Sequence, residues 1–135
     1  MPAIFVLFLA APLPAFAENK SLSMGVESSR ISDGQHFQVS FSSKLDPITI
    51  NTMHAWILHI ENRSGEPVID ARIQISGGMP KHDHGLPTRP LVTQNLGNGD
   101  YLLEGLKFHM GGQWQVILAI QQGAVSDSVT FELNL

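Results

Sequence analysis

The sequence contains no cysteine. That excludes disulfides, thiolate metal sites, covalent c-type haem attachment, thiol catalysis and a lipidated N-terminal cysteine together. His, Met, Asp and Glu are left as the side chains able to hold a metal. Basic residues are also few, 8 Lys and Arg against 12 Asp and Glu, for a net charge of −4. They form no stripe able to follow a phosphate backbone, so nucleic acid is not an expected partner. No segment sustains a 3.6-residue apolar period with capping residues, which argues against a helical bundle. Enzyme signatures are lacking as well: no Gly-x-Ser-x-Gly elbow, no His-Glu-x-x-His pair and no phosphate-cradling glycine loop. The chain therefore reads as a non-enzyme, and its 135 residues suffice for one domain with one core.

What is present falls into two parts. Ala3 to Phe16 is almost wholly apolar, and Ala15-Phe16-Ala17 has the small-x-small form of a cleavage site. The run contains Pro12 and Pro14 and falls short of the ~20 apolar residues a spanning helix needs. The expectation is a signal peptide over 1–17, a mature domain over 18–135 and a periplasmic or secreted location. The mature chain then alternates apolar and polar residues in short runs separated by turn residues. Strands are expected over Lys20–Ser28, His36–Ser42, Ile48–Asn62, Val68–Ser76, Leu91–Gln94, Asp100–Phe108, Gln113–Gln121 and Ala124–Leu135. Turn clusters such as Arg63-Ser64-Gly65-Glu66-Pro67 and Leu96-Gly97-Asn98-Gly99 divide them. This spacing points to an all-β fold, an immunoglobulin-like antiparallel β-sandwich of seven to eight strands. Trp56 and Trp114 are the expected core anchors.

One segment stands apart from the strands. Met79 to Pro90 reads Met-Pro-Lys-His-Asp-His-Gly-Leu-Pro-Thr-Arg-Pro, and further Met–His pairs occur at Met53-His54 and His109-Met110. If the strands flanking each turn run antiparallel, all three clusters lie at one end, provided the loop does not cross the molecule. Strand parity then points His54, Met79 and Met110 inward, and Met53 and His109 outward. His82 and His84, spaced i and i+2, share one side of an extended loop. The expected metal set is Met79, His82, His84, His54 and Met110. Thioethers with imidazoles suit copper; zinc is second, with Asp83 or water completing a tetrahedron. Each residue also has a plainer reading: inward methionines fill cores, and buried histidines are hydrogen-bonded. His36 and His59, alone within strands, read as structural. The alternative function is a non-enzymatic protein-interaction module in which the proline-rich loop is a rigid crossover.

Met79-Pro-Lys-His-Asp-His-Gly85, Gly97-Asn-Gly-Asp-Tyr101, Gly105-Leu-Lys-Phe-His-Met-Gly-Gly-Gln-Trp114, Met53-His-Ala-Trp56 and Gly65-Glu-Pro-Val-Ile-Asp-Ala71 together resemble the YtkA-like domain family, a relative of FixH-like proteins. The resemblance implies an immunoglobulin-like sandwich in an exported or membrane-anchored protein. FixH-like relatives are linked to assembly of a cbb-type cytochrome oxidase and to copper supply. The resemblance thus implies a metal carrier, or an accessory of a membrane metalloprotein such as a respiratory oxidase. It implicates Met79, His82 and His84 most directly. The chain departs from the FixH-like pattern in that its apolar N-terminal run reads as a cleaved signal.

Overall fold

The computed structural model describes residues 28–135. The expected signal peptide, and all but the last residue of the strand expected over 20–28, lie outside them. The described residues form β1 (Ser29–Ile31), β2 (Phe37–Ser43), β3 (His54–Asn62), β4 (Arg72–Met79), β5 (His84–Gly85), β6 (Leu91–Gly97), β7 (Asp100–Leu106), β8 (Gln113–Gln122) and β9 (Val125–Asn134). They make two antiparallel sheets, ordered β1-β2-β3-β7-β6 and β5-β4-β8-β9. Without the short β1 and β5, the order is that of a constant-type immunoglobulin domain, four strands against three. The sandwich expectation is met. Nine strands replace seven to eight because β1 and β5, of three and two residues, are too short to show a period.

Alternation places the core. Trp56, Leu58 and Ile60 of β3 face Trp114, Val116, Leu118 and Ile120 of β8, and all are buried. Phe41 stacks on Trp56 with centroids 3.8 Å apart and meets Phe131 edge-on at 4.9 Å. Such aromatic pairs add about 0.5–1.5 kcal/mol each beyond their area. Antibody domains join their sheets by a disulfide beside one tryptophan. This cysteine-free chain has a tryptophan in the core from each sheet. Asn98 and Gly99, both at positive φ (54° and 84°), make the tight turn between β6 and β7.

One expected pairing is wrong. β3 and β4 are not hairpin neighbours but lie in opposite sheets. After Arg63-Ser64-Gly65 the chain begins a hairpin, with Glu61 bridged to Pro67 and Val68 N–H donating to the Ile60 carbonyl at 2.9 Å. It then leaves the sheet. Pro67 has no N–H to extend the ladder. Tyr101 holds the departing strand: its hydroxyl donates to the Val68 carbonyl (2.6 Å) and accepts from Ala71 N–H (3.0 Å). The chain runs up one sheet and down the other, so the start of β3 and the end of β4 still share an end.

Asp127 clasps the turn between β1 and β2 to β9. Its carboxylate, 5% exposed, accepts from Ser32 Oγ (2.6 Å), from the N–H groups of Gly34, His36 and Ser128, and from His36 Nδ1 (3.0 Å). Burial pushes this carboxyl upward, but the bonds from Ser32, Gly34, Ser128 and His36 outweigh it and hold it well below the usual carboxylate range. On β3, His59 is raised by hydrogen bonds to Glu61 (2.9 Å) and Asp100 (2.6 Å), against a smaller opposing effect of burial. Both His36 and His59 thus take structural partners.

These two groups set opposite pH limbs. Asp127 contributes stability that is fully present above the unfolded carboxylate range and is lost as pH falls below ~4. His59, charged and paired, contributes stability below ~6.5 that is lost as pH rises through its raised value. Urea unfolding should therefore show greatest stability in the mildly acidic range. Asp127→Ala should cost about 2–4 kcal/mol at pH 7 and flatten the acid limb. An acid limb as steep in that variant as in the parent protein would sink the clasp.

Candidate metal site

The Met79–Pro90 segment stays at its own end, and glycines make that so. Gly77 and Gly78 have φ of 145° and 153°. A Cβ on Gly77 would lie 2.0 Å from the Gln115 carbonyl oxygen, and one on Gly78 2.0 Å from that of His84. No side chain fits. The backbones therefore close up, and β4 pairs with β5 through Gly78–Gly85 and Met79–His84. Between them Pro80–His82 makes one 3-10 turn, and Asp83, at φ 53°, turns the chain back. The segment folds back as a tight hairpin, with His82 in the 3-10 turn and His84 in β5, so the two do not lie along one extended stretch. Its return is pinned too. Leu86 packs on the core, Pro90 is buried, and the Thr88 hydroxyl donates to the Gly105 carbonyl. Gly105 (φ 88°) sits where β7 slips register against β3.

The six histidines divide cleanly. His36 and His59 have the carboxylate partners described above. His54 is buried and its Nδ1 lies 3.0 Å from the Thr52 carbonyl. A carbonyl only accepts, so Nδ1 carries a proton, and in the neutral ring that leaves the lone pair on Nε2. That Nε2 is buried without a hydrogen-bond partner. The other three histidines lie in a row, with His84 between His82 and His109. The His82 and His84 rings are 6.1 Å apart and tilted by 37°. His84 and His109 are 6.0 Å apart and tilted by 31°. His109 in turn meets Trp114 edge-on at 5.3 Å, and its Nδ1 is buried and unpartnered.

This corrects two expectations. His109 does not point away; it is half-buried and joins His82 and His84. Parity counted from Leu106 and Phe108, both buried, does not hold for His109 because β7 ends at Leu106 and residues 107–110 have no ladder to keep the alternation. Gly105, Gly111 and Gly112 around Lys107–Met110 were the available signal. Nor do the five proposed ligands form one set. The His54 ring packs on Phe108 (5.6 Å), Phe108 on Trp114 (5.2 Å), and only then comes His109. Among the described residues no three His, Asp or Glu side chains converge as a ready coordination set.

The methionines differ among themselves. Met79 is 1% exposed, and its methyl carbon lies 2.7 Å from where a Cβ on Gly112 would stand. Met110 is half-buried against the core, while its carbonyl accepts from Trp114 Nε1 at 2.9 Å. Met53 is 59% exposed. Register partners face the same side of a sheet, so His84 hangs over the same mouth that Met79 fills from within. Open recesses flank the hairpin, one lined by Lys81, His82, Gly112, Gln113 and Glu132. The opposite one is lined by Met79, Asp83, His84 and Gln115.

The hairpin is testable by itself. Gly78→Ala should destabilise the fold by about 2–4 kcal/mol in thermal or urea unfolding, because the strained φ and the His84 carbonyl both oppose a side chain. A cost under ~0.5 kcal/mol would mean that the close β4–β5 approach is not held in solution.

Against known proteins, no curated protein matches this chain. Among solved structures it is similar to one described as the ZirS C-terminal domain, with 11% identity and a TM-score of 0.45, covering 100% of this chain and 88% of that one. A family model described as YtkA-like matches residues 32–119, a span that contains β2 to β7, the whole Met79–Pro90 hairpin, His54, and His109 with its neighbours. With that match over well more than half its length, the chain belongs to the YtkA-like family.

Proposed function

We propose that this protein is an exported metal-binding domain that carries copper, in preference to zinc, to or for a membrane metalloprotein, and that it is not an enzyme. The observation that carries this reading is the β4–β5 hairpin, which holds the imidazoles of His82 and His84 open over the sandwich end that also contains Met79, Met110 and His54. The donor chemistry agrees. Imidazole and thioether donors with few carboxylates favour copper over calcium or magnesium. Two buried imidazole nitrogens at this end, His54 Nε2 and His109 Nδ1, lack hydrogen-bond partners. An unsatisfied buried group costs about 1–3 kcal/mol, which a ligand would offset. His54 has the tautomer that metal-bound histidines adopt, its far N–H held by a carbonyl.

His82 and His84 would receive the ion from solvent, since both are exposed. Met79 and Met110 lie behind them as thioether donors that would have to turn outward to reach it. His54 is the most buried of the imidazoles. A bound copper ion here is cargo.

A second reading is favoured by one observation. Leu86, Thr88 and Pro90 anchor the return segment to the core and the bulge whether or not the imidazoles bind anything. In that reading the segment is a rigid protein-binding edge. Native mass spectrometry of the protein titrated with Cu(I), Cu(II) and Zn(II) separates the two. The metal reading expects one ion per chain at sub-micromolar affinity, weakened at least ~10-fold by His82→Ala with His84→Ala. Absence of sub-micromolar binding, or no change in the double variant, would leave the interaction module as the better account.

A further inference from the structure

We propose that the port of this site is a three-imidazole set, His82, His84 and His109, that takes a borderline divalent cation, Cu(II) first and Zn(II) second. His109 is its fixed member. The inference rests on the reading that this end of the sandwich binds metal, and it adds a ligand and an oxidation state to that reading.

Three observations carry it. First, the partners sort the histidines. The ring nitrogens of His36, His54 and His59 each engage Asp127, the Thr52 carbonyl, or Asp100 and Glu61. Among the described residues, no hydrogen bond engages the rings of His82, His84 or His109, and these are the three that lie side by side. Second, the spacing is right. Two imidazoles bound to one ion through nitrogens ~2 Å from it hold their ring centroids ~5–6 Å apart. The His82–His84 and His84–His109 pairs, at 6.1 and 6.0 Å, lie at the edge of that range. No ring contact joins His82 to His109, so closing the set takes rotation of His82 and His84 about the fixed His109. His82 and His84 are exposed, so rotating them disturbs no packing. Third, the set has an anchor. His109 is held edge-on against buried Trp114, whose Nε1 donates to the neighbouring Met110 carbonyl. A fixed ring beside two exposed ones lowers the ordering cost of closing the set.

Three neutral imidazoles with no thioether within the set favour Cu(II) and Zn(II) over Cu(I), which thioethers bind better. The soft donors Met79 and Met110 lie inward of the port. The arrangement therefore separates a divalent port at the surface from softer ligands behind it.

Trp114 supplies the readout. Cu(II) bound at the port should quench Trp114 fluorescence with one equivalent per chain. Zn(II), which does not quench, should compete for the same equivalent. Trp56→Phe, which leaves Trp114 the one tryptophan of the chain, should keep the quenching. His109→Gln should weaken Cu(II) at least ~10-fold and weaken Cu(I) far less. His109→Phe keeps an aromatic ring against Trp114 and guards against a merely structural loss. Zn(II) should also shift the ring-nitrogen NMR signals of His82, His84 and His109, and not those of His36 or His59.

The proposal is overturned if His109→Gln and His109→Phe both bind Cu(II) as tightly as the parent protein, or if Zn(II) shifts His54 and leaves His109 unmoved. Either result leaves metal binding at this end intact. If the parent protein takes up neither Cu(II) nor Zn(II) but binds Cu(I), the port fails and the thioether reading stands. If it binds none of the three, the metal reading itself fails.

Discussion

The close backbone approach at Gly77 and Gly78 is the constraint on which the rest of this end of the molecule depends. Two carbonyl oxygens, those of Gln115 and His84, occupy the space where side chains would stand. Only glycine tolerates that contact at these φ values. Because the strand can approach so closely, β5 adds to the sheet edge, and the chain reverses over Pro80 to Asp83 and does not cross the sandwich. That reversal puts His84 beside His109, which comes from the connection between the two sheets. A bulkier pair at 77 and 78 would free the segment, and the three imidazoles would have no reason to meet.

The remainder of the fold supports this end without disulfides. Trp56 and Trp114 fill the space between the sheets, and Tyr101 ties down the strand that leaves one sheet for the other. The two tryptophans are used differently. Trp56 is stacked under Phe41 and its indole N–H is buried without a partner, so its contribution is packing. Trp114 has its N–H bonded to the Met110 carbonyl and its ring against His109. It belongs at once to the core and to the wall of the candidate site. A continuous line of rings runs from His54 through Phe108 and Trp114 to His109, His84 and His82. It links the deepest imidazole with the most exposed ones: Phe108 and Trp114 are close-packed core, while His84 and His82 at its outer end are exposed.

Much of the sandwich could be read from alternation, because period two reports which side of a strand meets the core. Trp114, Val116, Leu118 and Ile120 could be assigned inward this way, as could Phe37, Val39 and Phe41. Pairing was harder. The 63–67 turn looks like a hairpin locally, and it begins as one, but Pro67 and the hydroxyl of Tyr101 redirect it. Nothing adjacent in the chain announces Tyr101 as the partner of Val68 and Ala71. The site was half legible. His82 and His84 declared themselves by spacing. His109 was misassigned because parity was carried past the end of β7 at Leu106, into residues with no partner strand.

By itself the sequence determined the class of the fold, the exclusion of thiol chemistry, and the concentration of imidazole, thioether and proline in one segment. These follow from composition and from a periodicity that each strand carries locally. Which imidazoles become neighbours was decided only by the tertiary structure. That outcome turns on single non-periodic events: positive φ at Gly77, Gly78, Asp83 and Gly105, and a carbonyl that claims one nitrogen of His54. Those events join residues distant in sequence, and their effect on a side chain's direction leaves no repeating trace along the chain.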